Sequence, residues 1–496
     1  MGWGMDWGMD WGENLPILMF AALAVLLFSG YPVAFVLGGI GLGFGLLGMA
    51  LGEFHFIQFR SVPSRVFGGI MENLILTAVP MFILMGTMLE RSGIARDLLN
   101  CLQMVLRAVP GGLALAVTVM GTILAATTGI IGASVVMMSL LALPVMLSRS
   151  YWPPLATGTI AASGTLGILI PPSIMLVIMA DLLGRSVGVL FVAAIFPGFL
   201  LSGLYMIYIV VLCTLYPRLA PPLPAAIGPQ TVAGKLNLVV RSFVPPVLLI
   251  MLVLGSILFG WATPTEAAGV GAFGAVVLAF FNLVVLPSLG VEEIHFEGEA
   301  KGASDGTMVG SGFSDGLKHF FVVTAGVVER AALTNAMIFA LFIGATIFSF
   351  VFRALGGDDL VIGIVDAMGL GSWGLLILIM GVVFILGFFF DWIEITLIVL
   401  PVFTPVIALM DFGDHVARME LVYWFAILLA INLQTSFLTP PFGFALFYMK
   451  AVAPRSVRIE QIYLGIIPFV VMQLIGLGLV MAFPEIALWL PRVLLN

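Results

Sequence analysis

Residues 163–173 read SGTLGILIPPS and residues 432–443 read NLQTSFLTPPFG. Each lies within an apolar stretch, 153–180 and 420–448, and each stretch exceeds the about 20 residues that a bilayer crossing needs. Glycine permits unwound backbone there, the proline pair removes two donors and leaves carbonyls free, and Ser, Thr, Asn and Gln supply side-chain oxygen. Backbone groups freed by a helix break are costly in lipid, so a break persists where it lines a cavity or binds something. A proline kink in a packed helix accounts for one such segment. Two in corresponding positions are harder to dismiss, and oxygen-rich sites of this kind suit a hard cation such as sodium.

The surrounding 496 residues are 61% hydrophobic and 9% charged, against about 25% charged in a soluble domain, which excludes a soluble fold. With a net charge of −7 and no basic run, nothing offers a nucleic-acid surface. Cys101 and Cys213 form no CxxC pair, and His55, His295, His319 and His415 sit between or at the edges of apolar stretches. Neither a disulfide framework nor a metal-ligand cluster follows.

Full spans are expected at 14–29, 31–51, 72–90, 153–180, 188–215, 243–262, 266–287, 332–352, 420–448 and 461–486. Residues 110–147 and 373–410 are too long for one span and have polar or Gly-rich centres, so both read as re-entrant hairpins. The N-terminal MGWGMDWGMDWGEN has no positive flank of a signal peptide and reads as an interfacial, tryptophan-rich lead-in. Residues 217–235 form a Pro-rich loop, and 288–318 a polar insertion. Thirteen of the 19 Lys and Arg, among them Arg91, Arg96 and Arg241, fall on one side of this arrangement. The positive-inside rule makes that side cytoplasmic and places both termini outside.

The chain repeats itself. Glu72-x-x-x-Leu76-Thr77 recurs 257 residues later as Glu329-x-x-x-Leu333-Thr334, and Leu143-Pro144-Val145 as Leu400-Pro401-Val402 at the same offset. Ile170-Pro171-Pro172 corresponds to Thr439-Pro440-Pro441. Both halves share the order span, hairpin, broken span, and the loop charges orient them oppositely. The expected fold is an all-α polytopic membrane protein of two inverted repeats, each with a re-entrant helical hairpin and a broken transmembrane helix. Inverted repeats with matching interrupted helices point to a secondary transporter with its site near the bilayer midplane.

The first hairpin turns at Ala126-Thr127-Thr128-Gly129-Ile130-Ile131-Gly132-Ala133-Ser134, whose helix ends offer a dipole to an anionic substrate and carbonyls to a cation. In the second, Asp391 and Glu394 lie among Phe388, Phe389, Phe390 and Trp392. An intramembrane carboxylate is functional by default, and Asp391 stands where Ser134 stands in the first repeat, so it is the candidate cation ligand. Glu394 reads equally as a solvated residue at the hairpin mouth. At 260–269, Thr263 or Thr265 caps the next helix with Glu266 in its first turn.

The segments PMFILMGTMLERSGIA (80–95), SGTLGILIPPSIMLV (163–177), GWATPTEAAGVGA (260–272), DWIEITLIVLPVFTP (391–405) and LTPPFGFALFYMK (438–450) resemble the large membrane (M) subunit of the tripartite ATP-independent periplasmic (TRAP) transporters. TTGIIGASVVMMSLLALP (127–144) looks like its mannitol/chloroaromatic-type branch. The resemblance implies an elevator-type transporter of the ion transporter superfamily, a sodium-coupled importer of a small organic anion. Its implied partners are a small four-helix membrane subunit and a periplasmic substrate-binding protein. It implies a transport domain of 72–187 and 332–460, with scaffold at 1–71 and 188–331 and a C-terminal span at 461–496. Its sodium sites carry over to Thr128, Gly129, Ser134, Ser163, Gly164, Thr165 and Gly167, and to Asp391, Gln434, Thr435, Ser436, Thr439 and Gly443. Substrate contacts carry over to Thr127, Thr128, Gly132, Pro172, Ser173, Asn432 and Pro441. Many relatives have Ser-Gly-Ser-Ser where this chain has Thr128-Gly129-Ile130-Ile131, which leaves backbone carbonyls as ligands at that tip. The 288–318 insertion is longer than the family pattern.

Other classes fit less well. An ion channel explains re-entrant segments but lacks a filter signature such as TVGYG. Proton coupling in place of sodium stays open. An intramembrane enzyme needs a nucleophile with a base or an HExxH, and only Asp391 with Glu394 forms a candidate pair.

Overall fold

The computed structural model describes residues 11–129, 131–222, 231–289, 313–440 and 443–495. Outside them lie the start of the tryptophan-rich lead-in, Ile130 at the first hairpin tip, part of the Pro-rich loop, most of the polar insertion, and Pro441 with Phe442. Among the described residues every regular element is helical. Eight helices are long and apolar enough to cross a membrane, or up to ten if each bent pair counts as one span.

Helices α1 (Trp11–Leu27) and α2 (Val33–Leu51) occupy the first two expected spans. The glycine after α2, Gly52, takes φ +89° and turns its N–H back onto the carbonyls of Gly48 and Met49, as a left-handed helix cap does. The next span starts later than 72. Glu72 and Asn73 fall in a break between Phe56–Met71 and Ile75–Arg91, and α3 itself is Ala78–Arg91. There follow α4 (Ile94–Val105), the hairpin arms α5 (Gly112–Thr128) and α6 (Ile131–Ser148), the two halves of the first broken span, α7 (Pro153–Thr165) and α8 (Ile174–Leu182), and the long α9 (Val187–Leu215). After them come α10 (Val232–Ser242), α11 (Val244–Leu258) and α12 (Pro264–Phe280). Thr263 caps α12, accepting from the Glu266 N–H at 3.3 Å while Glu266 Oε2 accepts from the Thr263 N–H at 2.8 Å, so Thr263 and not Thr265 is the cap.

The second half runs α13 (Phe313–Ala354), α14 (Gly357–Met368), the arms α15 (Ser372–Leu386) and α16 (Trp392–Leu409), the broken pair α17 (Leu421–Leu438) and α18 (Phe444–Val452), then α19 (Ile459–Ala482) and α20 (Glu485–Leu495). The repeated order is therefore longer than the sequence suggested. A short helix, α4 or α14, stands between span and hairpin in both halves, and a long span, α9 or α19, follows each broken pair. The 42 residues of α13, about 63 Å at 1.5 Å per residue, begin inside the expected insertion. Asp315, Lys318, Glu329 and Arg330 interrupt the apolar run there without interrupting the helix.

Both hairpins close on themselves. The Leu113 N–H at the start of α5 donates to Tyr151 Oη, just beyond α6, at 3.3 Å. Likewise the Asp411 N–H beyond α16 donates to Ser372 Oγ at the start of α15 at 2.9 Å, and Trp373 stacks edge-on against Phe412. Each segment thus returns to the level at which it started, which a spanning helix does not do.

The chain divides into two compact units. One comprises the residues through Leu74 with Leu333–Gly381 and Phe390–Arg418. In it Phe20 of α1 meets Phe348 and Phe352 of α13 edge to face, and Arg353 donates to the Pro401 carbonyl at 2.8 Å. The other comprises Ile75–Ala332, Val382–Phe389 and Met419–Asn496. At its centre α7 touches α19 backbone to backbone: a Cβ on Gly465 would collide with the Pro154 carbonyl, and one on Gly158 with the Gly465 carbonyl. Small residues allow such approach in membrane proteins. Gly465→Ala is expected to destabilise by about 1–3 kcal/mol, read as a lower melting temperature in detergent. Gly478→Ala on the same helix, with nothing within 4 Å of its Cβ, is the control and is expected to change little. At the end of the chain, Arg492 forks onto both Glu420 oxygens at 2.6 Å and also reaches Glu485, tying α20 to the base of α17.

Candidate functional site

Both broken spans are broken where the sequence placed the breaks. α7 ends at Thr165, a 3-10 turn carries Leu166–Ile168, and the Pro171-Pro172 peptide is cis before α8 begins. In the second, α17 ends at Leu438, Thr439 is extended (φ −87°, ψ 127°), and α18 resumes after Gly443. Ser163, Thr165, Ser173, Gln434, Thr435 and Ser436 are completely buried, and Asn432 nearly so.

The two breaks meet. Gln434 Nε2 on α17 donates to Thr165 Oγ1 at the end of α7 at 3.3 Å. The other end of that amide, Gln434 Oε1, is buried and has no hydrogen-bond partner among the described residues. A buried carbonyl oxygen without a donor costs about 1–3 kcal/mol, so its retention at this junction calls for an explanation.

The hydroxyls at the two breaks are spent in one direction. Thr165 donates to the Ala162 carbonyl at 2.8 Å, Ser173 to Ile168 at 2.7 Å, Thr435 to Ile431 at 2.9 Å, Ser436 to Leu433 at 2.8 Å and Thr439 to Thr435 at 2.8 Å. Ser163 is within 3.4 Å of Thr118 Oγ1, and Thr118 donates to Ala114. With their protons committed to carbonyls, these oxygens present lone pairs. Such a donor set is chemically able to accept a cation.

The first hairpin is packed against the breaks by glycine. A Cβ on Gly164 would come within 2.5 Å of the Val135 side chain of α6, and one on Gly121 of α5 within 2.7 Å of Ser163. Gly129, at φ +57°, turns the tip where a Cβ would lie 2.9 Å from Ile174, so the tip rests on the first residue of α8. Gly132 faces the Tyr448 ring of α18. On the side of the second hairpin, Gly387 abuts Ser436, where a Cβ would collide. Ser173 is the N-cap of α8, yet its hydroxyl donates to Ile168 and caps nothing, leaving the first N–H groups of α8 without a side-chain acceptor.

Of the expected residues, the structure thus brings together Thr165 with Gln434, Gly164 with the hairpin arm that carries Ser134, and Gly129 with the helix that Ser173 begins. Gly167 and Pro172 are buried within the first break, and Gly443 closes the second through its N–H on the Thr439 carbonyl at 3.2 Å. Thr127 and Thr128 form the last turn of α5, but their side chains, like Pro441, lie outside the described residues. Asp391 belongs to the other unit. It caps α16, with Oδ1 accepting from the Trp392 N–H at 2.8 Å, while Glu394 Oε2 accepts from the Asp391 N–H at 3.2 Å. Sequence reasoning passed over Thr118, although Thr118 and Thr122 stand four apart on one face of a hairpin arm, and Thr122 bonds Ser202 of α9 at 2.7 Å.

A family model described as "Tripartite ATP-independent periplasmic transporter, DctM component" matches residues 20–486. The chain is 28% identical over 423 residues to the C4-dicarboxylate TRAP transporter large permease protein DctM of Pseudomonas aeruginosa, covering 85% of this chain and 87% of that one. It is 27% identical over 474 residues to the ectoine TRAP transporter large permease protein TeaC of Halomonas elongata, covering 95% and 98%. The crystal structure of the Alcanivorax borkumensis YdaH transporter, whose topology is described as unusual, aligns with a TM-score of 0.58 at 14% identity over 96% of this chain and 99% of that chain. At that identity the likeness is one of fold.

Proposed function

Since the chain belongs to the DctM component family of tripartite ATP-independent periplasmic transporters, we propose that it imports a small organic anion by coupling it to sodium. Family membership makes it a transporter permease subunit, not an enzyme, and a multi-pass protein of the bacterial inner membrane. The coupling ion is the proposal. The observation that carries it is the buried Gln434 Oε1, without a hydrogen-bond partner among the described residues, on an amide that meets Thr165, whose hydroxyl proton is already committed to the Ala162 carbonyl. Sodium there would be held by Gln434 Oε1, the Thr165 hydroxyl and carbonyls of the breaks.

The anionic substrate is met at the uncapped N-terminus of α8, where backbone N–H groups and the helix dipole favour a carboxylate. Relatives named for C4-dicarboxylates and for ectoine support a small, polar, charged substrate. A small membrane subunit and a periplasmic binding protein complete the tripartite assembly. Residues 72–187 and 332–460 act as the transport domain of an elevator-type cycle.

Proteoliposomes holding both membrane subunits are expected to take up substrate only when a sodium gradient and loaded binding protein are both supplied. Equal uptake under a proton gradient without sodium would remove sodium as the coupling ion. Full uptake of free substrate without the binding protein would remove the tripartite delivery.

A further inference from the structure

A cavity of about 370 Å³ opens between α4, the α10–α11 junction and the end of α12, and shares no lining residue with the breaks. It has a local cause. Pro245 and Pro246 stand at the start of α11, and beyond Phe280 the chain widens into a π-turn, Phe281–Val285, a feature common at functional sites. The π-turn is held in place by Asn282, whose amide donates to the Ser92 carbonyl at 2.8 Å.

Arg241 and Asp97 put one charge of each sign on this cavity. Arg241 Nε is buried and has no hydrogen-bond partner among the described residues. A guanidinium so placed calls for an oxyanion, and phosphate suits its fork. Arg241 lies near the end of α10, which runs on into α11 as one apolar span, Val232–Leu258, and seventeen residues separate it from Leu258 at the far end, about 25 Å at helical rise. That approaches the about 30 Å of a hydrocarbon core, so Arg241 stands near headgroup level on the side that the loop charges make cytoplasmic. Phe281, which lines the cavity, is 53% exposed, and Val240 and Val244, next to Arg241 along the chain, are 53% and 41% exposed, so apolar surface adjoins Arg241.

We propose that this cavity holds one inner-leaflet phospholipid with a zwitterionic headgroup, its phosphate on Arg241, its amine towards Asp97, and an acyl chain along Val240, Val244 and Phe281. Asp97 selects against a headgroup of net negative charge, and the lipid phosphate gives Arg241 Nε the acceptor that the described protein residues do not supply.

The test uses the full chain with its small membrane subunit, purified in mild detergent and offered mixed micelles of phosphatidylethanolamine or phosphatidylglycerol. Bound lipid is read by native mass spectrometry and by thermal shift. The wild type is expected to retain one phosphatidylethanolamine, and Arg241→Gln to retain about tenfold less, as for loss of one hydrogen bond to a charged group. Leu278→Trp, which fills the cavity and keeps the guanidinium, is expected to lose the lipid too, and Asp97→Asn to shift preference towards phosphatidylglycerol. Equal retention by Arg241→Gln and Leu278→Trp would overturn the proposal. So would wild type that takes both lipids equally, or a crosslink that places a helix of the small subunit in the cavity.

Discussion

Gln434→Leu is expected to cut sodium-driven uptake by about 10- to 100-fold at limiting sodium, the factor that one hydrogen bond to a charged partner represents, while leaving the protein at least as stable as before. The two readouts move apart for a physical reason. Gln434 Oε1 is buried and has no hydrogen-bond partner among the described residues, a cost of about 1–3 kcal/mol. Leucine of similar volume removes that cost and gives up only the 3.3 Å bond from Nε2 to Thr165, worth about 0.5–1.5 kcal/mol. A glutamine kept for packing behaves in the opposite way: its loss lowers the melting temperature, and uptake falls only as folded protein falls. Melting temperature in detergent and initial uptake rate in proteoliposomes, measured on the same preparation, separate the two. A less stable variant with uptake unchanged per folded molecule would refute the ligand role.

Asp391→Asn is expected to abolish sodium-driven uptake, by about 100-fold or more if a charge-assisted ligand is lost, with a change in stability under about 1 kcal/mol. The structure sharpens this experiment because Asp391 is also the N-cap of α16. Asparagine caps about as well as aspartate, so the substitution removes the negative charge and keeps the cap. Asp391→Ala removes both and is expected to lose stability as well. Wild-type uptake by Asp391→Asn would reduce this carboxylate to a capping residue.

The breaks were legible in the sequence because glycine and proline within a membrane span have few other uses, and each break acts locally. The hairpins were legible for the same reason: an apolar run too long for one crossing and soft at its centre must turn back. α4 and α14 were not, since their 12 residues each fall below the length of a span and their polar faces break the hydropathy signal. The start of α13 was hidden by Asp315, Lys318, Glu329 and Arg330, which a helix outside the hydrocarbon carries without penalty. At the site, composition named the oxygens but not their pairing. That Gln434 reaches Thr165, and that Thr118 backs Ser163, depends on contacts across 269 and 45 residues, for which one chain holds no local signal. The Asp391-x-x-Glu394 spacing does hold one. It is a helix-start signature, and the reading of Asp391 as a cation ligand, with Glu394 equally a solvated residue at the hairpin mouth, passes over it.

The direction of the hydroxyl bonds at the breaks has an energetic corollary. None of Ser163, Thr165, Ser173, Gln434, Thr435, Ser436 and Thr439 gains or loses a proton at ordinary acidity, and each of the five carbonyl-bound hydroxyls has its hydrogen turned inward. A cation bound in such a pocket would follow its own concentration and not the acidity of the medium. Acid sensitivity in the transport cycle would then enter through titratable groups outside the breaks, Asp391 and Glu394 among them, and a flat acidity profile for ion binding at the breaks would mark the two contributions as separable.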